Sequence, residues 1–220
     1  MNLLVIALAP VLIILIYVYV RDKYEKEPIG LLIKALIAGA LAVIPIIFVE
    51  SALSVFGGSY TGYTAVAYTA FVVAAFTEEL FKFIALYLVI WKNKEFNEKF
   101  DGIVYAVFIS LGFAAVENVM YVFQYGQSAG MSRALTAVPG HALFGVAMGY
   151  YFGLAKLAPE NNSKNFLLAL IVPILLHGIY DFILMTQHKY LLVAFIPFLY
   201  YLWKEGFKKM KEHSDNSRFK

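Results

Sequence analysis

The stretch AVAYTAFVVAAFTEELFKFIALYLVIW, residues 65–91, decides how the chain is read. It is apolar for longer than the roughly 20 residues a helix needs to cross a hydrocarbon core. Yet Glu78, Glu79 and Lys82 sit near its middle. Outward from it lie six more apolar runs: Leu3–Val20, Ile29–Leu53, Ile103–Tyr125, Ala134–Ala155, Phe166–Leu184 and Tyr190–Trp203. The breaks between them are short and polar or glycine-rich, as at Gly57-Gly58-Ser59 and Pro159-Glu160-Asn161-Asn162. Of the 220 residues 61% are hydrophobic and 15% charged, against roughly half and a quarter in a soluble domain. The expected fold is therefore all-α, a polytopic membrane protein of about seven transmembrane helices. No repeat or long linker divides it, so residues 1–203 are expected to form one transmembrane domain and 204–220 a basic tail.

Leu3–Val20 lacks a basic stretch before it and an Ala-x-Ala-like cleavage site, and its charges, Arg21 and Lys23, follow it. It reads as a retained helix rather than a signal peptide. Fourteen of the 18 Lys and Arg residues lie in the first, third and fifth loops and the C-terminal tail; only Arg133 and Lys189 lie in the others. The positive-inside rule then sets the N-terminus outside and the C-terminus in the cytoplasm, an alternation that an even number of helices would spoil. The absence of cysteine excludes disulfides, thiolate metal ligands and a cysteine nucleophile. The net charge of +3, carried in loops beside apolar helices, points to a lipid bilayer and not to nucleic acid as the partner.

Seven charged residues fall inside the spans, Lys34, Glu50, Glu78, Glu79, Lys82, Glu117 and Asp181, with His141 and His177 beside them. An ionised group near the bilayer centre costs at least about 2.5–3.5 kcal/mol, so each needs a partner or a purpose. Lys34 and Glu50 lie near span ends, from which long side chains reach the interface. His141, His177 and Glu117 each lie about seven or eight residues, roughly 10–12 Å, below their outer span ends. Unrelated structural groups have no reason to share that depth. His177 and Asp181 stack at i and i+4, as do Glu78 and Lys82. Asn118 and Tyr121 extend a polar face around Glu117, and Pro139-Gly140 is expected to loosen the helix before His141.

Such a cluster serves hydrolysis, proton-coupled transport or ligand sensing. Among hydrolases, a Gly-x-Ser-Gly serine site, a Gly-x-Gly-Asp aspartyl pair and an HExxH zinc site are all absent. Carboxylate and imidazole remain. A Glu can activate water while the imidazoles polarise a carbonyl; alternatively Glu79, His141 and His177 hold zinc, with Glu78 or Glu117 as base.

The set Glu78-Glu79-x-x-Lys82, Asp101-Gly102-Ile103-Val104-Tyr105, Gly112-Phe113-Ala114-x-x-Glu117-Asn118, His141 and His177-Gly178-x-Tyr180-Asp181 resembles the PrsW family. Arg21-Asp22-Lys23-Tyr24 with Glu27-Pro28 is similar to it as well. The resemblance covers nearly the whole chain. It implies a multi-pass protease of the bacterial cell membrane that makes the first cut in a single-pass substrate, an anti-sigma factor. PrsW proteins are related to the CAAX prenyl endopeptidases, from which this chain departs at Lys82, one position before the usual Arg, and at Ala137 in place of Phe. The family likeness implies that Glu78, Glu79, His141 and His177 are catalytic, with Lys82, Glu117, Asn118 and Asp181 supporting them. Both a metal-free glutamate mechanism and a zinc-dependent one fit these residues. The competing reading is a proton-coupled transporter or membrane sensor that uses the buried carboxylates as a relay.

Overall fold

A computed structural model describes residues 2–158, 160 and 162–220, and every regular element among them is helical. Pro159 and Asn161 of the expected fifth break fall outside the described residues. The elements are α1 (Leu3–Arg21), α2 (Ile29–Gly57), α3 (Gly62–Ala67), a π-helical segment (Tyr68–Phe76), α4 (Thr77–Ile90), α5 (Lys99–Leu135), α6 (Ala137–Leu157), α7 (Asn162–Thr186) and α8 (Lys189–Asp215). Four helical stretches, Leu3–Arg21, Ile29–Gly57, Lys99–Leu157 and Asn162–Thr186, are long and apolar enough to cross a membrane. Side chains such as Ile13, Phe48 and Leu88 are about 70% exposed. That is the surface expected where the solvent is hydrocarbon rather than water.

The first half of α5 forms the core. Phe100 to Ala114 are buried without a break, because α1, α2 and α6 all pack around it. Small residues permit this. A Cβ added to Gly149 would lie 2.2 Å from the Gly102 carbonyl oxygen, and one on Gly112 would lie 2.0 Å from that of Leu36. With no hydrophobic drive between helices inside lipid, such close backbone contact is a main source of packing energy. The N-terminus of α5 is fixed by a reciprocal capping box between Glu98 and Asp101.

Three local details differ from the sequence reading. The loop expected after Tyr125 is mostly helical: Gly126, at φ 82°, turns the chain, and the next turns of α5 fold back on the preceding ones. Gly130 there meets Val122 and Ile6. The helix carrying His141 is not loosened at Pro139-Gly140. These residues form its first turn, where proline is tolerated, and the Gly140 amide donates to the Thr136 carbonyl at 2.9 Å. Finally, α8 does not stop at Trp203. It runs to Asp215, held by Tyr150, whose hydroxyl donates to Glu212 (2.8 Å) and whose ring stacks on His213 at 4.3 Å.

Contacts join the segments that carry most of the basic residues. The Lys156 ammonium donates to the Trp91 carbonyl (2.7 Å), His213 Nδ1 meets the Lys99 carbonyl (3.1 Å) and Ser217 donates to Glu98. The first, third and fifth loops and the C-terminal segment therefore share one end of the bundle, as their common charge leads one to expect.

Candidate active site

The π-helical segment ends one residue before Glu78, and Glu78 and Glu79 occupy the first turn of α4. A π-helical stretch changes the angular step of the residues after it and is frequent at functional sites. Here both neighbouring carboxylates reach one ammonium. Lys82 Nζ lies 3.0 Å from Glu78 Oε2, 2.9 Å from Glu79 Oε1 and 3.2 Å from His141 Nδ1. It also lies over the Phe113 ring, 4.1 Å from its centre. Lys82 has no solvent exposure at all.

From α7, His177 Nδ1 meets Glu79 Oε1 at 2.9 Å, and Nε2 meets Asp181 Oδ2 at 3.3 Å. One imidazole thus bridges two carboxylates, and the ring of Phe144 stacks on it at 4.8 Å, fixing its plane. From α6, His141 Nε2 meets Glu117 Oε2 of α5 at 2.9 Å. The two imidazoles stand edge to face with centroids 5.4 Å apart. Every site residue singled out in the sequence belongs to this one network, Asn118 included. Its side-chain amide donates to the Ala7 carbonyl (2.7 Å), which ties α1 to the site.

The sequence reading missed two members. Arg133 counted only as an outer-loop charge. The reversal at Gly126 returns it to the cluster, where its guanidinium donates to Glu117 Oε2 (2.5 Å) and Asn118 Oδ1 (3.0 Å). The usable signal was its being one of only two basic residues at that end. Glu50 does not reach for an interface, because α2 continues to Gly57; it lines the same cavity as Glu78 and Glu117. Lys34 is exposed, as expected.

That cavity, of about 700 Å³, is lined by Glu50, Glu78, Glu117, Arg133, His141, His177 and Asp181 together with apolar residues of α2 and the π-helical segment. Glu78 lines it; Glu79 does not and is wholly buried. The two adjacent carboxylates therefore have different neighbours. Glu78 faces the space where water and a peptide would lie, and Glu79 stands behind it, holding Lys82 and His177. Among the described residues, ligand atoms of Glu78, Glu79, His141 and His177 lie within 4.8 Å of one another. Glu79 Oε2 is buried with no hydrogen-bond partner.

The family described as PrsW family intramembrane metalloprotease matches residues 27–203 of the chain. A protein named Protease PrsW from Oceanobacillus iheyensis is 41% identical over 99% of this chain and 98% of its own. Those from Clostridioides difficile and Bacillus subtilis are 35% and 36% identical, over 99% and 93% of this chain and 94% and 92% of theirs. No solved structure matches the fold.

Proposed function

The chain belongs to the PrsW family of intramembrane proteases, and from that premise we propose that it makes the first cut in a single-pass membrane protein such as an anti-sigma factor. Its setting is the plasma membrane of a bacterial cell. In this reading seven helical segments cross the bilayer, the third made of α3, the π-helical segment and α4. The N-terminus is outside, and the cavity opens in the outer half.

One observation carries the mechanism: Glu78 lines the cavity beside both imidazoles, while Glu79 is sealed behind it. Glu78 takes a proton from a water in the cavity, and that water attacks the scissile carbonyl. His177, kept in one orientation by Glu79, Asp181 and the Phe144 ring, and His141, kept so by Glu117, are placed to donate to the developing oxyanion and to the leaving amine. Lys82 balances the charge of the carboxylate pair, which keeps both ionised in a dry setting.

The family description implies a metal ion. Two imidazoles and two carboxylates, one with a free buried oxygen, fit a zinc-type ion. Glu79, His141 and His177 would hold it, and bound there it would polarise water or the carbonyl as a Lewis acid. The Lys82 ammonium lies among the same donors, so the two cations compete for them.

Co-expression with a single-pass substrate tests the reading. Glu79→Gln and His177→Ala are expected to abolish cleavage at unchanged protein levels; full cleavage in both variants overturns it.

A further inference from the structure

A second group of buried acids lies away from the cavity. On α5, Asp101 and Glu117 are separated by about 24 Å of helix. At the Asp101 end the α1–α2 loop packs against the start of α5. Asp22 is 1% exposed, and neither of its carboxylate oxygens has a hydrogen-bond partner. Glu27 is buried and accepts from the Tyr105 hydroxyl. Asp101 Oδ2 accepts from the Asn97 and Glu98 amides, both at 2.8 Å, while its Oδ1 is buried and without a partner. Asn97 Oδ1 is unpartnered too. Glu27 and Asp101 approach each other at hydrogen-bonding range, and Asp22 feels the charge of both Asp101 and Glu98.

The nearest ammonium is otherwise engaged. Lys26 Nζ donates to the carbonyls of Tyr19, Val20 and Asp22 and so closes the end of α1. Among the described residues no Lys or Arg forms an ion pair with Asp22, Glu27 or Asp101. Three carboxylates therefore share a desolvated corner with lone pairs turned inward and no counter-charge. Buried charges without partners are strongly disfavoured, so protons or a cation must balance them. Every donor here is oxygen: carboxylate, amide carbonyl and phenol. That set suits a hard ion of the magnesium and calcium class, not zinc. The oxygens are spread more widely than the ligand atoms of the peptidase cluster. This suits an ion that keeps several of its waters, as magnesium does.

We propose that Asp22, Glu27 and Asp101 bind a hydrated divalent cation, Mg²⁺ in the cell, which clasps the α1–α2 loop to the base of α5. The Arg21-Asp22…Glu27-Pro28 and Asp101…Tyr105 motifs, which the peptidase chemistry leaves unexplained, meet at this site. The proposal stands independently of that chemistry.

The test uses the full chain in nanodiscs of neutral lipid, stripped with chelator. Tb³⁺ is the probe, because Tyr105 is placed to sensitise its emission, and Mg²⁺ is the competitor. Wild type is expected to give sensitised emission that Mg²⁺ displaces, and a melting temperature that rises with Mg²⁺. Asp22→Asn, whose side chain gives up no hydrogen bond, is expected to weaken Tb³⁺ binding at least about tenfold and to lose the Mg²⁺-dependent rise. Glu79→Gln should leave both intact, and Tyr105→Phe should lose emission while keeping the Mg²⁺ effect. Emission lost in Glu79→Gln but retained in Asp22→Asn would assign the ion to the peptidase cluster and overturn the proposal. No Mg²⁺ response in wild type would show that protons alone balance the acids, and overturn it equally.

Discussion

His177 Nδ1 on α7 lies 2.9 Å from Glu79 Oε1 on α4, two residues 98 apart in the chain. Glu79 Oε1 also takes a hydrogen bond from Lys82 at 2.9 Å. One carboxylate oxygen thus sets the position of both the imidazole and the ammonium, and it does so from outside the cavity. Mutating Glu79 should accordingly change how the site is held, whereas mutating Glu78 should change what meets the water.

Lys82→Met leaves two buried carboxylates without their counter-charge. Breaking a buried pair in this way costs about 3–5 kcal/mol, so the variant should melt well below wild type in chelated buffer. Because the ammonium competes with any metal for the same oxygens, Lys82→Met should also retain more zinc per chain, and zinc should restore part of the lost stability. Elemental analysis and melting curves check both; equal zinc in the two proteins would rule out competition at this point.

Arg133 reaches Glu117 Oε2 at 2.5 Å, and Glu117 in turn holds His141. Arg133→Ala should lower kcat by about tenfold or more through a misoriented imidazole, with little change in KM. Arg133→Lys keeps the charge but not the forked contact to Asn118 and should recover only part of the rate. A KM effect alone would mean that Arg133 contacts substrate instead.

Gly149 packs its backbone against Gly102 with no room for a methyl group. Gly149→Ala must push α6 off α5, at a cost of about 1–3 kcal/mol. The melting temperature should fall, whereas Gly30→Ala, at a position with open space around it, should leave it unchanged.

Burial pushes the Asp22 carboxyl up to about 7; Lys26 opposes the shift, and Asp101 and Glu98 add to it. Glu27 rises to about 9 for the same leading reason. A folded-state pKa raised above the unfolded one means that the folded chain binds more protons across the interval. Stability from Asp22 is thus fully present below its unfolded value and is lost as pH rises from about 4 to about 7. In chelated buffer Asp22→Asn should flatten this slope and melt higher than wild type at pH 7. Thermal melts across the pH range, without divalent ions, check it.

Much of the fold was legible in the sequence because lipid leaves so few options. A run such as Ile29–Leu53 can satisfy its backbone there only as a helix. The Glu78, Glu117, His141 and His177 cluster was legible for the same reason, since charges in such runs stand out. Less visible was whatever depended on backbone geometry without a composition signal. The π-helical segment reads as ordinary apolar sequence, yet it leads directly into the turn that carries Glu78 and Glu79. The reversal at Gly126 was hidden in a stretch, Gln127–Leu135, polar enough to pass for a loop, and it concealed Arg133. The length of α8 was masked by its change from an all-apolar surface to an amphipathic one, whose buried stripe of Gly206, Met210 and His213 packs inward.

The account rests most heavily on Glu78 as the group that activates water. Its direct test is single-turnover cleavage of a single-pass substrate by the purified chain in nanodiscs, comparing wild type with Glu78→Gln. The amide keeps the shape of the carboxylate and removes its basicity, so cleavage should fall by at least about a hundredfold while substrate binding is unchanged. Cleavage by Glu78→Gln at the wild-type rate would contradict it.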